Sequence, residues 1–502
     1  MVLAAFQQPG LLTIVAAAVL AIVTVGVLAR RARRPSTPPG PKSSWLGFGQ
    51  PTVPATYPWY TYEEWQRLYG DIVYYRAFGN SVVIVNSAKV ADDLLEKRGA
   101  IYSSRPARTM LRELMGWNWS FAGMLYSSSW RKYRSTFQRH FNSRATARYE
   151  PLQLKEVQTF LHNLYRAPEN LYYHTRRNAA ALVMKISYDH DIAEEGDHFV
   201  NLADRAMSRT IQAAIHGAYV VDYLPILRYI PSWFPGATFK RDAIEWRQDS
   251  MAMLQEPFNM VKRRMASGSA GPCVTTLELE STNREQEIDV PMIQGSSLTH
   301  DFKTVSAIMS FFVAMMNNPE IQRKAQAEID RVVRGDRLPT FEDRSHLPFI
   351  TCIVWECLRW NPVAPLGVPH ASVQDDVYEG YWFPKGTTIV PNIWRYPDSF
   401  TFNPERFADE KKNAELEINE LPKIAFGFGR RVCPGRWLAL DTIWITIASV
   451  LAVYNVSKPK DTNGVVIEQP VEFTGVSISR PKPFKCAITP RSGEALALIR
   501  KV

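Results

Sequence analysis

Cysteine is scarce in this chain. The 502 residues hold five, at positions 273, 352, 357, 433 and 486, too few and too scattered for a disulfide framework. The odd count suits a reducing compartment, where a single thiolate can serve chemistry. Repeats are absent as well, so a solenoid or array is excluded. Charge of one sign is in small excess only: 59 Lys+Arg against 49 Asp+Glu gives +10. That balance favours an acidic partner or an anionic membrane surface and says nothing of fold. No nucleic-acid partner is expected. With 46% hydrophobic and 22% charged residues the composition is globular, which rules out a disordered or collagen-like chain. Long apolar runs are missing too, except at the N-terminus.

That exception covers residues 11–29, LLTIVAAAVLAIVTVGVLA, without a charge. At ~1.5 Å per residue it would reach ~28 Å, near the about 30 Å of a hydrocarbon core. Arg30, Arg31, Arg33 and Arg34 follow at once, and nothing basic precedes the run. The positive-inside rule puts the C-terminal side in the cytosol. A secretory signal would carry its charges first and a shorter apolar core. We therefore expect one uncleaved single-pass anchor over residues 1–34. Residues 35–50 form a proline-rich hinge, with Pro35, Pro38, Pro39 and Pro41 imposing extended, stiff geometry. Residues 51–502 read as one continuous globular unit.

Within that unit the class is mainly α with a smaller β part. Helical spacing covers 87–99, 128–141, 152–165, 241–265, 304–317 and 320–333. Residues 74–85 are β-rich and turn through Gly79 and Asn80. The stretch 267–272 and the polar run to 287 read as a surface loop, and 471–490 as a terminal hairpin region.

Chemistry concentrates at Phe426-Gly-Phe-Gly-Arg-Arg431-Val-Cys433-Pro-Gly435-Arg436. Glycines admit close approach to a flat ligand because they lack Cβ. A cysteine just ahead of a helix start meets positive backbone partial charge, which stabilises its thiolate. Arg431 supplies a cation for an anionic group. A thiolate-bearing loop with a neighbouring arginine is what an iron porphyrin with propionates requires.

The spacing Phe-x-x-Gly-x-Arg-x-Cys-x-Gly resembles the haem loop of the cytochrome P450 haem-thiolate monooxygenases. The resemblance extends over everything after the proline hinge. It implies the P450 fold behind one N-terminal transmembrane helix, haem b held by Cys433 as axial iron ligand, and Phe426, Arg431 and Gly435 as haem contacts. Trp130-x-x-x-Arg134 resembles the family's haem-contacting helix, two donors on one face at i and i+4. His370 matches a position where the family often places another propionate donor. Glu356-x-x-Arg359 and the Pro404-Glu-Arg406-Phe407 element resemble the family's buried triad, which gives Glu356, Arg359 and Arg406 a folding role.

The resemblance also implies partners. These are an NADPH-fed P450 reductase, dioxygen, an apolar small molecule and the lipid membrane. The expected location is the endoplasmic reticulum membrane, with the catalytic domain on the cytosolic side. Arg131, Lys132, Arg139, Lys423, Arg430 and Arg436 would form the reductase-docking face. The aromatic stretch 223–240 would lie at the substrate entrance and dip into the membrane. Trp117, Trp119, Phe121, Val363, Leu366, Val476 and the region of Leu298 are candidate pocket walls by analogy. The linked runs 356–362 and 364–370 look like fungal members acting on secondary metabolites or xenobiotics, with terpenoids and fused aromatics as substrates for hydroxylation or epoxidation.

Two departures stand out. The family's distal helix carries an acid followed by an alcohol. Anchoring on Thr304-Val-Ser-Ala puts Phe302 and Lys303 in those places, whereas a slipped alignment offers Asp301 with Thr299 or Thr304. After Trp394 the connection to Pro404 is also short. The altered distal element keeps two alternatives open: peroxide-dependent or isomerisation chemistry on the same fold, or a catalytically impaired haem-binding protein.

Overall fold

In a computed structural model, residues 17, 18, 21, 35–42, 51–215, 217–281, 301–395, 400–409 and 424–501 are described. The predicted 11–29 span falls, but for three residues, outside them, as do Leu298, Lys423 and residues 282–300.

Helix α1, Pro58–Tyr69, starts on a proline and buries Trp59, Tyr62 and Trp65. Strands β1 (Ile72–Ala77) and β2 (Asn80–Val85) follow. Their turn holds Phe78 and Gly79 at positive φ, so the hairpin forms where glycine relieves the steric cost. The longer helices that come next are α2 (Ser128–Phe141), α3 (Glu150–Arg166), α4 (Leu171–Tyr188), α5 (His198–Ala213) and α6 (Thr238–Ala266). They continue as α7 (Val274–Ser281), α8 (Asp301–Asn317), α9 (Pro319–Val333) and α10 (Pro348–Trp360). Strands β3 (His370–Ala371), β4 (Asp376–Tyr378), β5 (Tyr381–Phe383) and β6 (Thr388–Pro391) precede α11 (Arg436–Val453). The chain ends on β7 (Tyr454–Ser457), β8 (Ala487–Pro490) and α12 (Gly493–Arg500).

The main sheet runs β1-β2-β6-β3. β2 and β6 are parallel, with Val83 opposite Ile389, and the other pairs are antiparallel. This crossover brings β3, and with it His370, to the sheet edge beside Ser104, which pairs with Ala371. The main core lies between α3, α4, α8, α9, α10 and α11, around Phe311, Phe312, Ile350, Trp444 and Ile447. Helix α11 is long and apolar enough to cross a membrane, but 67% of it is buried inside this body. It is a core helix.

Three local expectations change. Residues 274–281, read as surface loop, form α7. Its Val274, Thr275 and Thr276 are buried, and the Thr275 hydroxyl donates to the Ser187 carbonyl at 2.7 Å. Packing against α4 and α6 overrides the polar, threonine-rich local signal. The region 471–490 forms its hairpin only over 472–482, where Phe473 bridges Pro481 and Thr474 N–H donates to Arg480 C=O and Lys482 N–H to Glu472 C=O at 2.8 Å each, while its last strand, β8, pairs with β7 instead. The first part of the proline hinge lies on the body: Tyr74 N–H donates to Pro39 and Trp382 N–H to Ser36, each at 2.9 Å.

Candidate functional site

The 426–436 loop is built by glycine. Gly427 and Gly429 have φ of +85° and +54°, and a Cβ on Gly429 would stand 2.1 Å from the Leu95 carbonyl oxygen. The loop closes through Cys433 N–H donating to Phe426 C=O at 2.8 Å and Val432 N–H to Gly429 C=O at 3.0 Å. Phe426 and Cys433 are half-buried and Gly435 is buried. Helix α11 begins at Arg436, with Gly435 as an N-cap that offers no side-chain acceptor. Its first N–H groups are left to neighbours outside the helix.

Helix α2 reaches the loop from the other side. Ser127 caps it by accepting from Trp130 N–H at 3.1 Å. One turn on, the Arg134 guanidinium donates to the Val432 carbonyl. Burial lowers Arg134 to about 10, and the charge of Cys433 pulls the other way. Arg431, 8% exposed, donates to the carbonyls of Ser103 at 2.7 Å and Met124 at 2.6 Å. Its guanidinium lies over the Trp130 ring, 4.2 Å from the centroid. Burial, with the nearby Arg105 charge, pushes it down to about 8.

Arg105 was not anticipated. It is buried and donates to Ala122, Val368 and Pro369 carbonyls at 3.0, 2.6 and 3.0 Å. Burial lowers it to about 9. Beside it, His370 is 3% exposed and donates from Nδ1 to the Tyr102 carbonyl at 2.8 Å. Burial, and then the Arg105 charge, hold its imidazole well below the usual histidine range. With Nδ1–H used this way, Nε2 donates to a carboxylate only in the imidazolium form.

Arg105 and Arg431 are buried together with the half-buried Arg134 beside them, and no carboxylate pairs with any of the three among the described residues. The Trp130 indole N–H is buried without a partner among the described residues. Buried cations and orphaned donors are costly unless an anion meets them. A porphyrin with two propionates, set over the Cys433 loop, has the charge this cluster lacks, so the residues present fit haem b.

On α10 and the turn after it, the structure brings Glu356, Arg359 and Arg406 together. Glu356 is fully buried. It accepts from Arg359 Nε at 2.6 Å and Nη2 at 2.8 Å, from Arg406 Nε at 3.2 Å and from Asn403 N–H at 2.6 Å. The cluster ties α10 to the 404–407 turn.

The distal candidates are less assembled. Asp301 opens α8 and Thr304 is buried on it, while Lys303 is exposed. Trp117 and Trp119 stack at 4.8 Å and pack with α4, α5 and α6. On the basic face, Arg131, Lys132 and Arg430 are exposed, but Arg139 is engaged by Glu278 at 2.6 Å. In the 223–240 stretch, Ile226, Tyr229 and Trp233 are 69%, 67% and 78% exposed, so ordinary core packing does not explain them.

A family model for Cytochrome P450 matches residues 38–486. The chain is 41% identical to cytochrome P450 monooxygenase 208 of Postia placenta, over 96% of each chain. It is 39% identical to cytochrome P450 monooxygenase COX2 of Coprinopsis cinerea, over 95% of this chain and 94% of the relative. It is 35% identical to the tryptamine 4-monooxygenase of Psilocybe cyanescens, over 93% and 96%. By its whole length as well as by its cysteine loop, the chain belongs to the cytochrome P450 family, haem b monooxygenases that take electrons from a redox partner.

Proposed function

We propose that this chain is a membrane-anchored haem-thiolate monooxygenase that hydroxylates or epoxidises an apolar small molecule, with Cys433 as the axial thiolate. The observation that carries the reading is the acid-free cluster of Arg105, Arg134 and Arg431 beside the Cys433 loop. When bound, haem b would supply the oxidising chemistry, with Cys433 as its thiolate ligand. Arg105, Arg134 and Arg431 would hold the propionates, with Trp130 Nε1 and His370 as further donors. The glycines of the loop would let the backbone come close to the porphyrin. Thr304 and Asp301 are the candidates for holding a proton on the distal side.

Electrons from NADPH would arrive through a reductase docked on the face carrying Arg131, Lys132 and Arg430. The exposed Ile226, Tyr229, Trp233 and Phe234 suit a membrane interface. Together with the 11–29 run they support a location at the endoplasmic reticulum membrane, body in the cytosol. The relative named for tryptamine keeps aromatic compounds beside terpenoids as the substrate class.

The alignment that puts Phe302 and Lys303 in the places of acid and alcohol favours a second reading, in which the haem site works with peroxide or isomerises its substrate and needs no distal proton relay. The test is a reduced carbon-monoxide difference spectrum of the wild-type chain and Cys433→Ala. The thiolate-type band is expected in the first and absent in the second. NADPH consumption with a reductase and an apolar substrate panel then separates the two readings. Oxidation that proceeds only with added peroxide would favour the second.

A further inference from the structure

A cavity lies away from the Cys433 loop, between α1, the end of α10 and the 471–482 segment. It measures about 680 Å³, inside the ~300–1,000 Å³ typical of small-molecule sites. We propose that it is a second ligand site, and that it takes a neutral, flat, fused-ring aromatic carrying one hydrogen-bonding group.

Its walls are aromatic: Trp59, Tyr60, Trp360, Trp394, Phe400 and Phe473. These rings are already braced against one another. Trp394 meets Tyr60 at 5.4 Å and Phe400 at 5.9 Å, both edge-on. Trp360 meets Phe473 at 5.5 Å, edge-on again. The buried rings of Trp59, Trp360 and Trp394, fixed in this way, lose little freedom when a planar molecule enters, while Phe400, 73% exposed, stands at the rim.

Of the polar lining residues, Asn317 and Asn318 already donate to carbonyls of α8, which leaves Asn361 and the buried Ser479 hydroxyl to answer the ligand's polar edge. Asn361 lines the cavity, is only 6% exposed, and its amide has no hydrogen-bond partner among the described residues. It offers one donor and one acceptor face. At the rim, Lys482 and Glu472 neutralise each other at 2.7 Å, which favours a neutral molecule over an ion. The floor is firm. Ser479 N–H donates to the Val363 carbonyl at 2.8 Å, and the Ser479 carbonyl accepts from Ser306 of α8 at 2.5 Å.

None of the lining residues belongs to the Cys433 loop or the arginine cluster. The proposal therefore stands or falls separately from the assignment of Cys433.

Equilibrium dialysis of the haem-loaded full chain with 1-aminoanthracene, read beside the haem absorption spectrum, tests it. One molecule per chain is expected to bind without altering that spectrum. Val471→Trp and Thr401→Trp introduce an indole from two different lining segments. Each is expected to weaken the spectrally silent molecule at least tenfold while haem content and the spectral titration stay as in the wild type. Haem content reports folding, and either variant alone is decisive. The absence of any silent molecule in the wild type, or its survival at full affinity in a folded variant, overturns the site.

Discussion

At the scale of single residues, this protein holds buried cations with no acid beside them among the described residues. Arg105 shows the consequence most simply. Replacing it with Leu would leave a propionate without its partner in a buried setting, a loss of about 3–5 kcal/mol. Haem affinity of Arg105→Leu is expected to fall by about a hundredfold or more, measured by haem transfer to an acceptor protein. His370 sets a pH dependence of known sign. Its folded-state value lies below the ordinary one because burial and the Arg105 charge disfavour the imidazolium. The stability it contributes is therefore present above about pH 6.5, and is lost as pH falls toward the folded value. In the haem-free chain, unfolding free energy should drop by up to about 1.4 kcal/mol per pH unit below that point. His370→Asn should flatten the slope, and bound haem should reduce it, because a propionate favours the charged form.

At the scale of elements, the Glu356 cluster acts as a rivet between α10 and the 404–407 turn. Glu356→Gln would take the carboxylate away from two guanidiniums at once. We expect a loss of about 3–5 kcal/mol, seen as early denaturant unfolding. If the variant unfolds like the wild type, the cluster is not a folding determinant. This cluster was readable because the Glu356-x-x-Arg359 pair is a helix-face spacing and the 404–407 motif is contiguous. Helix α7 was not readable, because its buried threonines look like loop residues until α4 and α6 pack on them. The distal start of α8 stayed open for a similar reason: a one-residue slip exchanges Asp301, Phe302 and Lys303 among the same positions.

At the scale of the whole molecule, the proposed anchor and the exposed aromatic stretch would address the same membrane. Removing residues 1–34 should move most of the protein from the membrane pellet to the supernatant. The remainder that still binds anionic vesicles should fall about tenfold on Trp233→Ser, since a buried large side chain is worth about 1.5–3 kcal/mol. Sedimentation with vesicles checks both. Retention unchanged by Trp233→Ser would remove the stretch from the membrane surface. High salt should weaken the residual binding further if the basic excess contributes.

The sequence by itself determined what is local and contiguous. The 426–435 loop, the Trp130 and Arg134 pair, the helix-face pair on α10 and the apolar N-terminal run each declare themselves through spacing within a few residues. Tertiary structure alone decided what depends on distant partners. Arg105 became part of the site only when carbonyls of Ala122, Val368 and Pro369 closed around it. The aromatic cavity needed α1, α10 and the 471–482 segment to converge. Spacing along a chain fixes which side chains share a face, but burial, and with it the energy of an unmatched charge or an empty space, exists only after the segments have met.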